Sequence, residues 1–256
     1  AGFLEKRRGE AREDTLRRRA VLQGVYVPRI YQPITGPDVS FAGIEPAGTG
    51  QPAHIRKRIL LDLDAAPYPV RPAVPYLETT HDRITIEIAR GCIQRCRFGQ
   101  AGTTYRPYRE RSPATALDMA KRGLDATGYD EISLAALSCG DYRHLEVLLA
   151  GLMNRHGGDR VSISLPSLRP GTITEGVLRE IKKVKRTGFT IAPEAASQRL
   201  RDVVSKGITE EQIMETCSLL FSEGWSRIKM YFMVGLPTET AEDREGIVHL
   251  CTRIRA

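Results

Sequence analysis

Residues 87–100 read Glu87-Ile-Ala-Arg-Gly-Cys92-Ile-Gln-Arg-Cys96-Arg-Phe98-Gly99-Gln100. A run rich in β-branched residues, Ile84 to Ile88, leads in; a glycine and two cysteines four positions apart follow. Iron–sulfur clusters are held by thiolates, and a short loop lets several thiolates reach one cluster. Behind Phe98, Gly99 stands where a third cysteine would complete the spacing C-x3-C-x2-C. The stretch reads as an iron–sulfur loop with one ligand missing. Two cysteines alone also fit buried structural thiols, the ordinary state of free cysteine, so the surrounding pattern has to decide.

From about residue 79 that pattern is regular. Short apolar runs at 83–89, 130–138, 160–166, 188–192 and 227–234 alternate with amphipathic stretches, which predicts parallel βα units and an α/β fold. Ser112-Pro113 predicts an N-cap followed by proline at the first helical position. Leu145, Leu148, Leu149 and Leu152 mark one helix stripe, and Val177, Leu178, Ile181 and Val184 the next. Thr209 with Gln212 predicts a capping box. Ile247, Leu250, Cys251 and Ile254 line a further helix, and Cys217 sits between Ile213 and Leu220; both cysteines are expected in the core.

Sites in such folds gather at the C-terminal ends of the strands. The second run ends in Cys139-Gly140-Asp141, the third in a segment carrying Arg169, the fourth in Glu194-Ala-Ala-Ser197 with Lys206 downstream, and the fifth in Gly235-Leu236-Pro237. Asp141 suits an ammonium or a helix N-cap; Glu194 and Ser197 suit caps of the following helix. Arg169 suits a bidentate anion contact or a plain surface position.

Together with Tyr105-Arg-Pro-Tyr-Arg-Glu-Arg-Ser112, these motifs resemble the radical S-adenosylmethionine (SAM) superfamily, in particular uncharacterised members with an N-terminal cobalamin-binding-type region. The resemblance implies a partial (β/α)6-type, TIM-like barrel. Five βα units are present, and the sixth is expected beyond Ala256. It implies a [4Fe–4S] cluster with SAM on its open iron, and a reduced cluster that cleaves SAM to a 5′-deoxyadenosyl radical. By the same resemblance Cys92 and Cys96 are cluster ligands. Phe98 packs near the adenine, Gly140 and Asp141 meet the SAM amino group, and Glu194 and Ser197 meet the ribose. Lys206 meets the SAM carboxylate, and Gly235 and Leu236 offer backbone to the adenine. Cys139 is the candidate to replace the ligand lost at Gly99, against the simpler reading of a small buried side chain. No residue is assigned a catalytic role of its own, and the substrate is not readable. The alternatives are a degenerate barrel that lost catalysis with its third cysteine, and an RNA-contacting module of a modification enzyme.

Residues 1–78 resemble the tail of the cobalamin-type region and its linker, and residues 79–256 the barrel. Residues 1–23 read as helix, 24–53 as a Gly/Pro-rich irregular region, 55–63 as a short strand, and Pro67, Pro69, Pro72 and Pro75 as an extended connector. The Asp-x-His-x-x-Gly cobalt-ligand pattern is absent, so cobalamin binding by this chain is not expected. The net charge of +7 suits an anionic partner such as RNA, yet Glu5, Glu10, Glu13 and Asp14 among the N-terminal arginines favour a solvated helix face. No apolar run is long enough to cross a bilayer. The N-terminal residues do not match a signal peptide, and clustered cysteines in an odd total of five fit a reduced, cytoplasmic setting. The first residue, Ala1, and an uncapped last helix suggest a piece of a longer protein. The 5 histidines show no metal-ligand spacing, and there is no Walker loop or nucleophile elbow.

Overall fold

A computed structural model describes residues 11–77, 79–166, 168–182 and 189–255. Backbone contacts divide the chain between Leu60 and Leu61. The first unit holds helix α1 (Arg12–Ala20) and an antiparallel hairpin of β1 (Tyr31–Thr35) and β2 (Phe41–Pro46). The hairpin corrects the irregular reading of 24–53. Gly36-Pro37 makes its turn: Gly36 N–H donates to the Ser40 carbonyl at 2.7 Å, and the Asp38 carboxylate accepts from the Ser40 N–H at 3.3 Å. Pro33 is tolerated because a two-stranded ribbon is all edge. The strand expected at 55–63 does not form. Arg56, Lys57 and Arg58 interrupt any alternation, and only Leu63 in that run is buried.

The second unit contains β3 (Ile84–Glu87), β4 (Ala89–Arg90), α2 (Ala101–Thr104), β5 (Arg109–Glu110), α3 (Pro113–Thr127), β6 (Glu131–Ala135), α4 (Leu145–His156), β7 (Ser162–Ser164), α5 (Glu175–Lys182), β8 (Phe189–Glu194), α6 (Gln198–Val203), α7 (Glu210–Ser222), β9 (Ile228–Phe232) and α8 (Ala241–Arg255). Strands β3, β6 and β7 form one parallel ladder, and β8 and β9 another. The five strands at the predicted positions are thus parallel within each ladder, each followed by helix. Among the described residues the ladders do not close on themselves, so this is an open, partial barrel.

The inward faces follow the alternation. Ile84 and Ile86 pair with Ile132 and Leu134, and all four are buried; each contributes about 1.5–3 kcal/mol by leaving water. The helices form where their signals stand. Ser112 accepts from the Thr115 N–H at 3.2 Å ahead of Pro113. Thr209 and Gln212 make the full capping box of α7. Leu145, Leu148, Leu149 and Leu152 are buried on α4, as are Val177, Leu178 and Ile181 on α5; Val184 and residue 188 lie outside the described residues. Cys217 is buried as expected, but Cys251 is exposed. The packed stripe of α8 is narrower than read: Leu250 faces the core, and a one-residue step turns Cys251 about 100° away from it.

Residues 61–77 go with this second unit, upstream of the 78/79 boundary that the resemblance implies. They run without helix or strand and cover the outer edge of β3. Tyr68 donates its hydroxyl to the Thr85 carbonyl at 3.1 Å. Buried Arg111 donates to the carbonyls of Leu63 at 2.7 Å and Glu87 at 2.9 Å. An edge that would invite another strand is thereby occupied. No helix among the described residues is long and apolar enough to cross a membrane.

Candidate functional site

At the C-terminal ends of the parallel strands lies a cavity of about 280 Å³. Cys92 and Cys96 line it from the loop after β3, Leu137 from the end of β6, Leu168 and Arg169 from the segment after β7, and Lys206 from the loop after α6. The cysteine loop is set by Gly91, which turns at φ +93°. A Cβ there would stand 2.7 Å from the Tyr105 carbonyl oxygen and 2.9 Å from that of Pro107, so only glycine passes. The loop is then fixed at two points. Arg97 N–H donates to the Val204 carbonyl at 2.9 Å, and Gln94 Nε2 donates to Asp141 Oδ2 at 3.1 Å. Gln94 N–H also points at Cys92 Sγ, 3.4 Å away.

Strand β8 delivers Glu194. Pro193 has no N–H for the ladder, and the register with β9 shifts between Ile191 and Glu194. Glu194 emerges at φ +67°, a conformation that costs a non-glycine residue about 1–3 kcal/mol and is found at functional sites. Its carboxylate meets Lys206 Nζ at 2.9 Å, with the two side chains 14% and 13% exposed. Lys206 is itself carried between Ser205 and Gly207, both at positive φ. Its ammonium lies 5.7 Å from the centroid of the Phe98 ring. Burial pushes the Cys96 thiol above its ordinary pKa; the Lys206 ammonium pulls it down, while Cys92 and Glu194 push it up.

Asp141 is not a helix cap, since α4 starts at Leu145 behind His144. Its carboxylate instead accepts from Gln94 and, at 3.2 Å, from Arg169, which also donates to the Gly207 carbonyl at 3.1 Å. Gly140 is required by a close approach: a Cβ there would stand 2.0 Å from Thr172 Oγ1. The structure therefore brings Cys92, Cys96, Phe98, Asp141, Glu194 and Lys206 into one neighbourhood.

It places the other candidates differently. Ser197 caps α6, accepting from the Leu200 N–H at 3.3 Å, and donates to Asp243. Cys139 is buried, with its thiol donating to the Leu134 carbonyl at 3.2 Å. The N–H groups of Gly235 and Leu236 donate to Glu239 Oε2 at 2.5 and 2.8 Å. Among the described residues no three of His, Cys, Asp and Glu gather into a metal-binding group. At Gly99 an added Cβ would meet nothing within 4 Å.

Two participants were invisible in the sequence. Gln94 ties the cysteine loop to Asp141. Arg201 is fully buried on α6 and donates to the carbonyls of Ala195 at 3.0 Å, Ala196 at 2.6 Å and Ile208 at 3.0 Å, holding the end of β8 beside the Lys206 loop. No local pattern marks a glutamine or an arginine for such roles; only the fold brings their partners within reach.

Parallel βα units with thiolates, a paired lysine and acidic side chains at their C-terminal ends define a cofactor-binding α/β protein. The chain belongs to the radical SAM superfamily, whose sequence profile it matches over residues 86–251. The uncharacterised protein MJ0966 of Methanocaldococcus jannaschii is 38% identical over 170 residues, which is 66% of this chain and 37% of that protein. The ribosomal protein uS12 methylthiotransferase RimO of Saccharopolyspora erythraea is 29% identical over 182 residues, covering 66% of this chain and 37% of RimO. The chain thus spans a little over a third of the curated relatives it matches. Among solved structures, the radical SAM methyltransferase TsrM from Kitasatospora setae, with tryptophan substrate and a SAM analogue bound, superposes with a TM-score of 0.58 at 17% identity, covering 68% of this chain and 34% of TsrM. The cobalamin-dependent SAM radical enzyme OxsB gives 0.51 at 18% identity, over 65% of this chain and 26% of OxsB. At these identities the likeness speaks for the fold.

Proposed function

We propose that this chain is the cofactor-holding part of a radical SAM enzyme, with SAM and a [4Fe–4S] cluster as its cofactors. The observation that carries the reading is the convergence of Cys92, Cys96 and Lys206 in one cavity at the strand ends, with Lys206 paired to Glu194. The residues fit the polar groups of SAM. Lys206 offers an ammonium to a carboxylate. Asp141 has acceptor sites left beyond its contacts with Gln94 and Arg169 and suits the amino group. Glu194 suits the ribose hydroxyls and Phe98 the adenine. Leu137, Leu168 and Pro166 give the cavity an apolar wall. The fit to the cluster is partial: Cys92 and Cys96 would hold two irons, and the third position is Gly99. A reduced cluster in this superfamily supplies the electron that cleaves SAM. The first unit is read as the end of a cobalamin-binding-type region, and the setting as cytoplasmic.

Gly99 specifically favours a second reading, a barrel that kept the cofactor cavity and lost full cluster ligation. Anaerobic reconstitution with iron and sulfide separates the two, comparing the chain with Gly99→Cys. The open space at Gly99 lets the new side chain enter without strain. Gly99→Cys is expected to hold a full cluster. Equal and complete loading of the unmodified chain would remove the degenerate reading; failure of the variant to hold iron would sink the proposal as a whole.

A further inference from the structure

A second cavity, of about 540 Å³, borders the cysteine loop. Arg95 and Arg97 line it from that loop and Arg106 from beyond α2, together with glutamine and threonine side chains, and no acidic residue lines it. All three arginines are exposed. Elsewhere around the strand ends guanidinium groups meet carboxylates: Arg90 meets Glu87 at 2.6 Å, Arg143 meets Glu110 at 2.8 Å and Arg169 meets Asp141 at 3.2 Å. Arg95 and Arg97 have no such partner among the described residues. Arg97 is held by its Nη1, which donates to the Val203 carbonyl at 3.0 Å, and Arg106 by its Nε, which donates to the Gly102 carbonyl at 3.0 Å. Gly99 also lines the cavity, and a Cβ added there would meet nothing within 4 Å, so the backbone is open to a ligand at that point.

A cleft lined by one sign of charge focuses its field and concentrates the opposite ion. A carboxylate offers two oxygens in one plane, and a single guanidinium fork satisfies both. A terminal phosphate carries a charge of about −1.5 to −2 and three acceptor oxygens, so several guanidinium groups can share it. The volume falls within the range of small-molecule sites, about 300–1,000 Å³. We infer that this cleft is a binding site for a terminal phosphate group, with room beside it for part of the molecule that carries the group. The inference does not rest on the reading of the other cavity: Arg95, Arg97 and Arg106 are not among the residues assigned to it, and binding is measured without iron or SAM. A small phosphate ester and the 5′ end of an RNA present the same group, and the experiment tells them apart.

Titration calorimetry at fixed ionic strength compares inorganic pyrophosphate with citrate, and a short RNA bearing a 5′-phosphate with the same RNA ending in a 5′-hydroxyl. One hydrogen bond to a charged group is worth about tenfold or more in affinity, so a phosphate probe is expected to bind about tenfold or more tightly than its comparison. A preference shown by pyrophosphate assigns the site to a small molecule; one confined to the 5′-phosphorylated RNA assigns it to an RNA end. The Arg95 side chain makes no bond among the described residues, so Arg95→Gln removes a charge without removing support from the loop. It is expected to weaken the preferred probe about tenfold, and the further change Arg97→Gln to bring binding below detection. Thermal midpoints of both variants, compared with that of the original chain, show that they are folded. Lys206→Met with Glu194→Gln, which takes the charged pair out of the other cavity, should leave phosphate binding unchanged. The inference is overturned if neither phosphate probe binds more tightly than its comparison, or if Arg95→Gln binds as tightly as the original chain. It is also overturned if the Lys206 and Glu194 variant loses the binding, which would put the anion in the other cavity.

Discussion

Lys206 and Glu194 form the most constrained ion pair at the site. Both side chains are largely out of water, and a charge left alone in such a place is costly, whereas removing both partners is often tolerated. Glu194 also holds a positive φ, so its position is imposed by the β8 bulge rather than by its own preference. Lys206→Met is expected to destabilise the chain by about 1–3 kcal/mol through the unpaired carboxylate and to weaken SAM binding. Adding Glu194→Gln should recover most of the stability and none of the SAM affinity. Urea unfolding and equilibrium dialysis with SAM read the two effects separately; full recovery of SAM binding in the double variant would reduce the pair to a structural role. At this scale the sequence was legible only where the superfamily resemblance supplied a role. It pointed to Cys92, Cys96 and Lys206, but it could not reveal Gln94, whose partner Asp141 is 47 residues away.

Among elements, α6 does more than its length suggests, because Arg201 links it to two segments of the site. Its guanidinium binds the carbonyls that follow β8 and the carbonyl of Ile208 beyond Lys206, and Gln198 Oε1 accepts a further bond at 3.0 Å. Burial lowers its pKa from the ordinary arginine value, yet the group stays charged and satisfied. Arg201→Met takes the guanidinium from the carbonyls of Ala195 and Ala196 and leaves that of Ile208 only the longer bond from Gln198 Nε2 at 3.4 Å, and is expected to cost about 3–5 kcal/mol. Arg201→Lys should recover only part of that, since one ammonium cannot span the fork. Denaturant midpoints of the two variants check the order, and a lysine variant as stable as the original would refute the argument. The elements themselves were the most legible level. Alternating Ile84, Ile86, Ile132 and Leu134 marked strands, and Ser112-Pro113 and Thr209 with Gln212 marked helix starts, because caps and periodicity are local. The β1–β2 hairpin was missed because Gly36, Pro37 and Gly43 read as loop, and its register depends on pairing across the turn. Cys251 was misplaced for a related reason: a helix stripe gives the buried side only to within one residue until its packing partner is known.

In the whole molecule, the two parallel ladders are joined by a continuous core, and one polar corner fastens the end of the second ladder. Phe189 on β8 packs edge-to-face on Trp225 at 5.1 Å, within the same apolar cluster as Ile86 and Leu134 of the first ladder. At the far side Asp243 of α8 collects the Ser197 hydroxyl, the Thr240 N–H at 2.9 Å, the Thr240 hydroxyl at 3.0 Å and the Arg199 guanidinium, so it fastens the last described helix to the turn that follows β8. These donors, Ser197 first, hold its carboxyl well below the usual carboxylate pKa. A folded-state pKa lowered below the unfolded value of about 3.9 contributes stability that is fully present above that value. The contribution is lost as pH falls through the folded pKa. Asp243→Asn should therefore be less stable than the original chain at about pH 7, and the gap should shrink by about pH 3, where the unfolded form of the original chain binds a proton that its folded form does not and that the amide variant never binds. Urea midpoints at the two pH values decide it. Because Ser197 and Arg199 lie just beyond Glu194, loosening this corner should also raise amide exchange at the Lys206 loop. A constant gap between the two chains across that range would show that the corner is held by packing, with the carboxylate charge contributing little.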